Sequence, residues 1–333
     1  MTQRISVLGS GSWGTALAVH LAGTGHDVRL WARDASLAST MASSRENATY
    51  LPGIKLPAGL SPTSDMQAAL DGAHFVVFAV PSHGLRDVAR KATVHLAADC
   101  AIVSATKGLE EGSLLRMSQV LREELPASGD IVVLSGPSFA LELARTLPTA
   151  LVAAGESPAV VDAVMAHFRS PALRLYGSSD VIGVELGGAL KNIIAIAAGV
   201  VEGLGLGHNA LAALMTRGLA ELSRLAVALG AQRDTLSGLA GLGDLVLTCT
   251  GSLSRNRRVG IALAQGRSLN EILASTKMVA EGVRTTEAAI ALSARHGIEL
   301  PIASEMSDVL AGRTDAQTAI RNLMGRKQKL EHA

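Results

Sequence analysis

The sequence predicts an α/β fold in its first half, with a doubly wound parallel sheet, followed by an all-α C-terminal domain. Up to about residue 180, short apolar runs alternate with helix-patterned segments, as strands and crossover helices do. Beyond that point strand signals nearly vanish and helical segments follow one another. The length, 333 residues, also exceeds what one core usually fills. Two domains are therefore expected, at residues 1–180 and 181–333.

Strands are predicted at 5–8, 28–31, 75–80, 101–105, 131–134, 150–154 and 173–176. Several are nearly uninterrupted runs of apolar residues, as strands covered on both faces of a parallel sheet must be. Helices are predicted between them at 13–22, 67–70, 83–91, 114–125 and 158–168. Ser64 with Gln67 reads as a capping box, and Ser157 before Pro158 as an N-cap with proline at the first helical position. In the second domain, helices are predicted at 181–201, 209–229, 259–264, 271–274, 286–295 and 302–311, with a capping box at Ser268 and Glu271.

Composition narrows the function. Charged residues are 18% and hydrophobic residues 48%, which fits a folded chain. Aromatics are only 2%, so the core is built from Ala, Leu, Val and Ile. A net charge of +1 argues against a nucleic-acid partner. Cys100 and Cys249 stand outside any CxxC or Cys/His cluster, so neither a metal site nor a disulfide framework is expected. A strand beginning at Arg4 leaves no room for a signal peptide, and the apolar run 193–201 is too short for a membrane span. A cytoplasmic enzyme is expected.

Gly9-Ser10-Gly11-Ser12-Trp13-Gly14 fits GxGxxG between a strand and a helix. Such a turn binds a dinucleotide: the first glycine makes the tight turn, the second admits a pyrophosphate, and the third lets helix and strand pack closely. The fold is then of the Rossmann type. The alternative is a glycine turn without a ligand. The next strand ends at Trp31-Ala32-Arg33-Asp34. Arg33 stands where an NAD site usually carries an acid, and a guanidinium suits a 2′-phosphate. NADPH is therefore expected, with NADH tolerated because Asp34 is adjacent. Otherwise Arg33 is a solvated surface charge.

Further signals follow later strands. Lys107, in Ala105-Thr106-Lys107-Gly108, lies at the carboxyl end of the sheet, where ligands bind in such folds, or is an ordinary solvent lysine. Gly136 and Ser138, in Ser135-Gly136-Pro137-Ser138, offer close backbone approach and a hydroxyl, or make a plain turn. Lys191 stands nearly alone as a charge in a helix with Gly187 and Gly188 one turn before it. Glycines there imply a close-approaching backbone or ligand, and apolar walls favour the neutral amine that proton transfer needs. The competing reading is a lysine snorkelling at a domain seam. A glycine-rich loop, 238–243, delivers Asp244, and Ser254-Arg255-Asn256 would suit a phosphate carrying hydroxyls. Arg257 and Arg258 read as a solvated basic face.

Together these motifs resemble NAD(P)-dependent glycerol-3-phosphate dehydrogenase of the bacterial type, from Ile5 to about Gly312. The matching stretches are 9–14, 104–110, 135–140, 185–192, 241–245, 254–256 and 279–282. The resemblance implies that Lys191 donates or accepts the proton. It puts Gly9, Gly11, Ser12, Trp13, Gly14, Arg33, Tyr50, Ala140, Val279 and Glu281 at cofactor positions. Gly136, Ser138, Asp244, Ser254 and Asn256 fall at substrate positions beside Lys191, and Lys107 and Arg255 at both. It implies dihydroxyacetone phosphate and sn-glycerol 3-phosphate as substrates, phospholipid synthesis as the role, and allows a homodimer. Two other functions compete. A β-hydroxyacid-type dehydrogenase of the same architecture would lack the Ser254-Arg255-Asn256 cluster. A non-catalytic dinucleotide sensor would give Lys191 no task.

Overall fold

Apolar runs too short for helices, flanked by glycine and polar turns, become the strands of one eight-stranded sheet. The computed structural model describes residues 2–125, 129–274, 281–328 and 330–331. In chain order the first elements are β1 (Arg4–Leu8), α1 (Ser12–Gly23), β2 (Asp27–Trp31), α2 (Ala35–Ser44), β3 (Leu60–Thr63), α3 (Met66–Leu70), β4 (Phe75–Phe78) and α4 (Leu85–Ala92). Then come β5 (Ala101–Ser104), α5 (Met117–Glu124), β6 (Ile131–Ser135), α6 (Ala140–Ala144), β7 (Thr149–Ala154), α7 (Pro158–Phe168) and β8 (Leu173–Ser178). The helical part comprises α8 (Val181–Gly203), α9 (Gly207–Ala228), α10 (Arg233–Ser237), α11 (Asp244–Thr250), α12 (Arg255–Ala264), α13 (Leu269–Ala274), α14 (Glu281–His296), α15 (Pro301–Leu310) and α16 (Ala316–Met324).

The strand order is β3-β2-β1-β4-β5-β6-β7-β8. The order reverses between β1 and β4, the switch point at which α/β sheets bind ligands. Side chains alternate across the sheet as strand geometry requires. Ile5, Val7, Val77 and Val103 join one core cluster with α1, α2 and α7. Leu8, Val76, Phe78 and Ile102 join another with α3, α4 and α5.

The sheet departs from the expected all-parallel form at one pair: β6 and β7 are antiparallel, with Val133 opposite Ala154. The five-residue α6 between them spans only about 7.5 Å. β7 runs opposite to β6, and β8 follows β7 in parallel. β3 and α2 were not expected. β3, Leu-Ser-Pro-Thr, is an edge strand, where a proline costs no ladder bond. Ser64 is not the cap of α3: Asp65 is, accepting from the Ala68 amide at 3.2 Å. Ser157 holds the N-cap position of α7 without a side-chain bond. The capping box of Ser268 and Glu271 forms in both directions, at 2.8 and 3.3 Å.

The chain divides into two compact units, residues 1–188 with 231–244, and residues 189–230 with 245–333. Segments 181–188 and 231–244 thus pack with the sheet, although they lie beyond residue 180. The 23 residues of α8 are long and apolar enough to cross a membrane, which the run 193–201 alone did not suggest. Instead, 89% of its most apolar stretch is buried within the protein.

In the second unit, Glu221 of α9 is buried and accepts from the Ile302 and Ala303 amides at 2.9 Å each, capping α15. Burial pushes its carboxyl up to about 7, against the pull of these bonds. The folded state therefore favours the proton. This stability is present below the ordinary carboxylate range and lost as pH rises through about 7. Glu221→Gln should thus gain thermal stability relative to the parent between pH 5 and pH 8, read from melting curves. A constant offset across that range would mean that Glu221 ionises normally.

Candidate active site

The glycine turn joins β1 to α1. Gly9 has φ of +119°, and a Cβ there would stand 2.5 Å from the Ala79 carbonyl oxygen. A Cβ at Gly14 would overlap the Gly9 carbonyl. These two glycines answer to the protein's own packing. Gly11 does not, since a Cβ there would meet nothing within 4 Å. Gly11 is also the N-cap of α1, with no side-chain hydrogen bond to the first-turn amides. Those amides and the helix dipole suit an anion, so the turn fits a dinucleotide pyrophosphate.

Ser12 Oγ donates to the Tyr50 carbonyl at 2.6 Å, which ties half-buried Tyr50 to the turn. Trp13 Nε1 is buried without a hydrogen-bond partner among the described residues. Arg33 follows β2 with its side chain exposed. Asp34 turns away to cap α2, accepting from the Ser36 and Leu37 amides at 2.8 and 3.2 Å. Ala140 opens α6, and α6 packs on α1.

Lys107 reaches across the carboxyl end of the sheet. Its Nζ donates to the Gly136 carbonyl at 2.9 Å and to Asp244 Oδ2 at 2.6 Å. Asp244 is only 1% exposed, so this ion pair is largely removed from water. Ser138 Oγ donates to the same Gly136 carbonyl at 2.9 Å. Gly136 itself has φ of +136°, a conformation that disfavours any side chain. Lys107, Gly136, Ser138 and Asp244 therefore come together, across 137 residues for the ion pair.

The expected glycine-rich loop before Asp244 is instead a π-helical turn, Leu239–Gly243, running directly into α11. Its glycines permit backbone contact: a Cβ at Gly241 would overlap the Leu236 carbonyl. The same turn explains Gly187, whose Cβ would stand 2.6 Å from the Ala240 carbonyl oxygen. At Gly188 a Cβ would overlap Ser135 Oγ. Protein atoms, not a ligand, thus account for the glycine pair before Lys191.

Lys191 is buried, with 7% exposure, and its Nζ donates to Thr248 Oγ1 at 2.6 Å. Thr248 escaped the sequence reading. It lies one turn beyond Asp244 on the same face of α11, a placement visible only once α11 is known to be a helix. Asn192 was missed as well. Asn256 Nδ2 donates to Asn192 Oδ1 at 2.8 Å, and Asn256 Oδ1 accepts from the Gly282 amide at 3.1 Å. Asn256 therefore ties α8, α12 and the start of α14 together.

Ser254 caps α12, its Oγ accepting from the Arg257 amide at 3.2 Å. Arg255 beside it is accessible but hemmed in: desolvation lowers its guanidinium pKa, and the Glu281 carboxylate opposes the shift. Arg257 is no solvated charge, because it pairs with Glu202 of α8. Arg258 is exposed, as expected. Glu281 opens α14, and Val279 lies outside the described residues.

A buried amine beside a hydroxyl can move a proton. An accessible guanidinium beside a helix N-terminus can hold an anion. Residues 4–161 match the family model described as NAD-dependent glycerol-3-phosphate dehydrogenase N-terminus, and residues 180–321 match that family's C-terminus. The chain is 50% identical over 333 residues to glycerol-3-phosphate dehydrogenase [NAD(P)+] of Geobacter sp. (strain M21), covering 99% of each chain. It is 49% identical over 332 residues to the protein of that name from Myxococcus xanthus, again covering 99% of each. A crystal structure of glycerol-3-phosphate dehydrogenase from Coxiella burnetii superposes with a TM-score of 0.94 at 40% identity, covering 98% of this chain and 99% of the other. The chain belongs to the NAD-dependent glycerol-3-phosphate dehydrogenase family.

Proposed function

We propose that the chain catalyses the reversible NAD(P)H-dependent reduction of dihydroxyacetone phosphate to sn-glycerol 3-phosphate, in the cytoplasm, for phospholipid synthesis. The observation that carries this reading is the buried Lys191 amine held by Thr248 at 2.6 Å. An amine removed from water costs stability unless it is used or fully paired. When bound, the nicotinamide supplies the hydride that reduces carbon 2 of the ketone. Lys191 delivers the proton to the carbonyl oxygen as negative charge develops there, and withdraws it in the reverse direction. Thr248 fixes the direction of Nζ.

Lys107 has three donors, of which Asp244 and the Gly136 carbonyl take two, leaving one for a substrate or cofactor oxygen. Arg255 binds the substrate phosphate through its planar fork, with Ser254 and Asn256 adding polar groups. We assign residues 1–180 as the main cofactor-binding domain and 181–333 as the main substrate-binding domain, with Lys107, Gly136 and Ser138 of the first also serving the substrate and Arg255, Val279 and Glu281 of the second also serving the cofactor. The turn at Gly9, Gly11, Ser12, Trp13 and Gly14 takes the pyrophosphate. Arg33, Tyr50, Ala140, Val279 and Glu281 complete the cofactor contacts. The capping bonds of Asp34 draw its carboxylate away from the role of reading a ribose 2′-hydroxyl, so NADPH is preferred over NADH.

Arg33→Ala should raise the KM for NADPH far more than that for NADH, and equal changes would remove Arg33 from phosphate recognition. Lys191→Met should lower turnover by ~10²-fold or more while NADPH still quenches Trp13 fluorescence. Turnover within a few-fold of the parent would exclude Lys191 from proton transfer. Arg255→Ala should reduce kcat/KM for dihydroxyacetone phosphate at least roughly tenfold, with partial recovery in Arg255→Lys. The poor residual rate on dihydroxyacetone should stay unchanged. A uniform loss on both ketones would mean that Arg255 shapes the fold or the cofactor site instead.

A further inference from the structure

Asn47 belongs to none of the motifs above, yet its side chain is completely buried beside the glycine turn. Its Nδ2 donates to the Ser10 carbonyl and to Thr15 Oγ1, each at 2.8 Å. Thr15 Oγ1 in turn donates to the same Ser10 carbonyl at 3.2 Å. On its other side, Asn47 Oδ1 accepts from the Tyr50 amide at 3.2 Å, and the Tyr50 carbonyl accepts from Ser12 Oγ at 2.6 Å. The residues on both sides of Gly11 are thereby fastened to the segment 47–50.

Two hydrogen bonds on one carbonyl fix the plane of the Ser10–Gly11 peptide. In a trans peptide the C=O and N–H point opposite ways, and the described chain has no cis bond. With the Ser10 carbonyl held inward, the Gly11 N–H faces away from the buried network. A solvated glycine turn would sample several peptide orientations, and holding one in advance removes an ordering cost from ligand binding.

We propose that Asn47 is a positioning residue for the cofactor: it holds the Ser10–Gly11 peptide so that the Gly11 N–H meets the dinucleotide pyrophosphate, without touching the ligand itself. The inference rests on the dinucleotide reading given above. Asn47→Ala should raise the KM for NADPH roughly tenfold, the equivalent of one or two net hydrogen bonds, with kcat at saturating NADPH and the KM for dihydroxyacetone phosphate unchanged. Two inhibitors isolate the pyrophosphate. Binding of 2′-phospho-ADP-ribose, which contains it, should weaken by the same factor as NADPH. Binding of 2′-AMP, which lacks it, should not change. Should Asn47→Ala fail to fold, the near-isosteric Thr15→Val removes part of the same network and should show the same split in smaller measure, with Thr15→Ser restoring it. Equal weakening of both inhibitors, or no weakening of either, would overturn the proposal while leaving the dinucleotide reading intact. If the parent binds neither 2′-phospho-ADP-ribose nor ADP-ribose, the dinucleotide reading falls and takes the Asn47 proposal with it.

Discussion

A lysine amine is accommodated in a helix-packed interior only if neighbouring helices come close enough to bring it partners. α8 meets that constraint with glycine. Gly187 lies against the π-helical turn at Ala240, and Gly199 against the Arg257 carbonyl of α12, where any side chain would overlap. Each glycine costs a helix interior about 1 kcal/mol relative to alanine. The return is backbone-to-backbone contact, which brings Asn256 within 2.8 Å of Asn192 in a chain with only 2% aromatic residues. A larger residue at Gly199 or at its counterpart Gly260 would force α12 away from α8 and withdraw Asn256 from Asn192. Lys191 owes its position to the same helix.

Close packing of small residues buries helix ends as well as helix faces, and the first-turn amides then need acceptors. Three buried carboxylates supply them. Asp180 accepts from the Gly183 and Gln232 amides at 2.8 and 2.9 Å. Glu185 accepts from the Ser118 amide at 2.7 Å and pairs with Arg116, closing the start of α5. Glu221 does the same for α15. At α1 a glycine stands in the capping position without such a bond, which leaves its amides available to a phosphate.

Much of this was legible in the chain. The glycine turn, the buried parallel strands and the long apolar α8 are written in local composition. Lys191 stands out because a single charge interrupts an apolar run. α2 was invisible because its ten residues are mostly Ser, Thr and Ala, and only Ala38 and Met41 are buried. β3 was hidden by Pro62, which only an edge position tolerates. The π-helical turn looked like a loop because glycine marks both flexible chain and close contact.

Local sequence set most of the turns and extended runs and marked out the candidate residues, since those demands act within a few residues. The partners came from the fold. Lys107 and Asp244 are 137 residues apart, Lys191 and Thr248 are 57 apart, and Asn47 is 37 residues from the Ser10 carbonyl it holds. No local spacing rule links such pairs. Strand order and helix crossing bring them together, and these depend on how the whole chain buries its apolar surface.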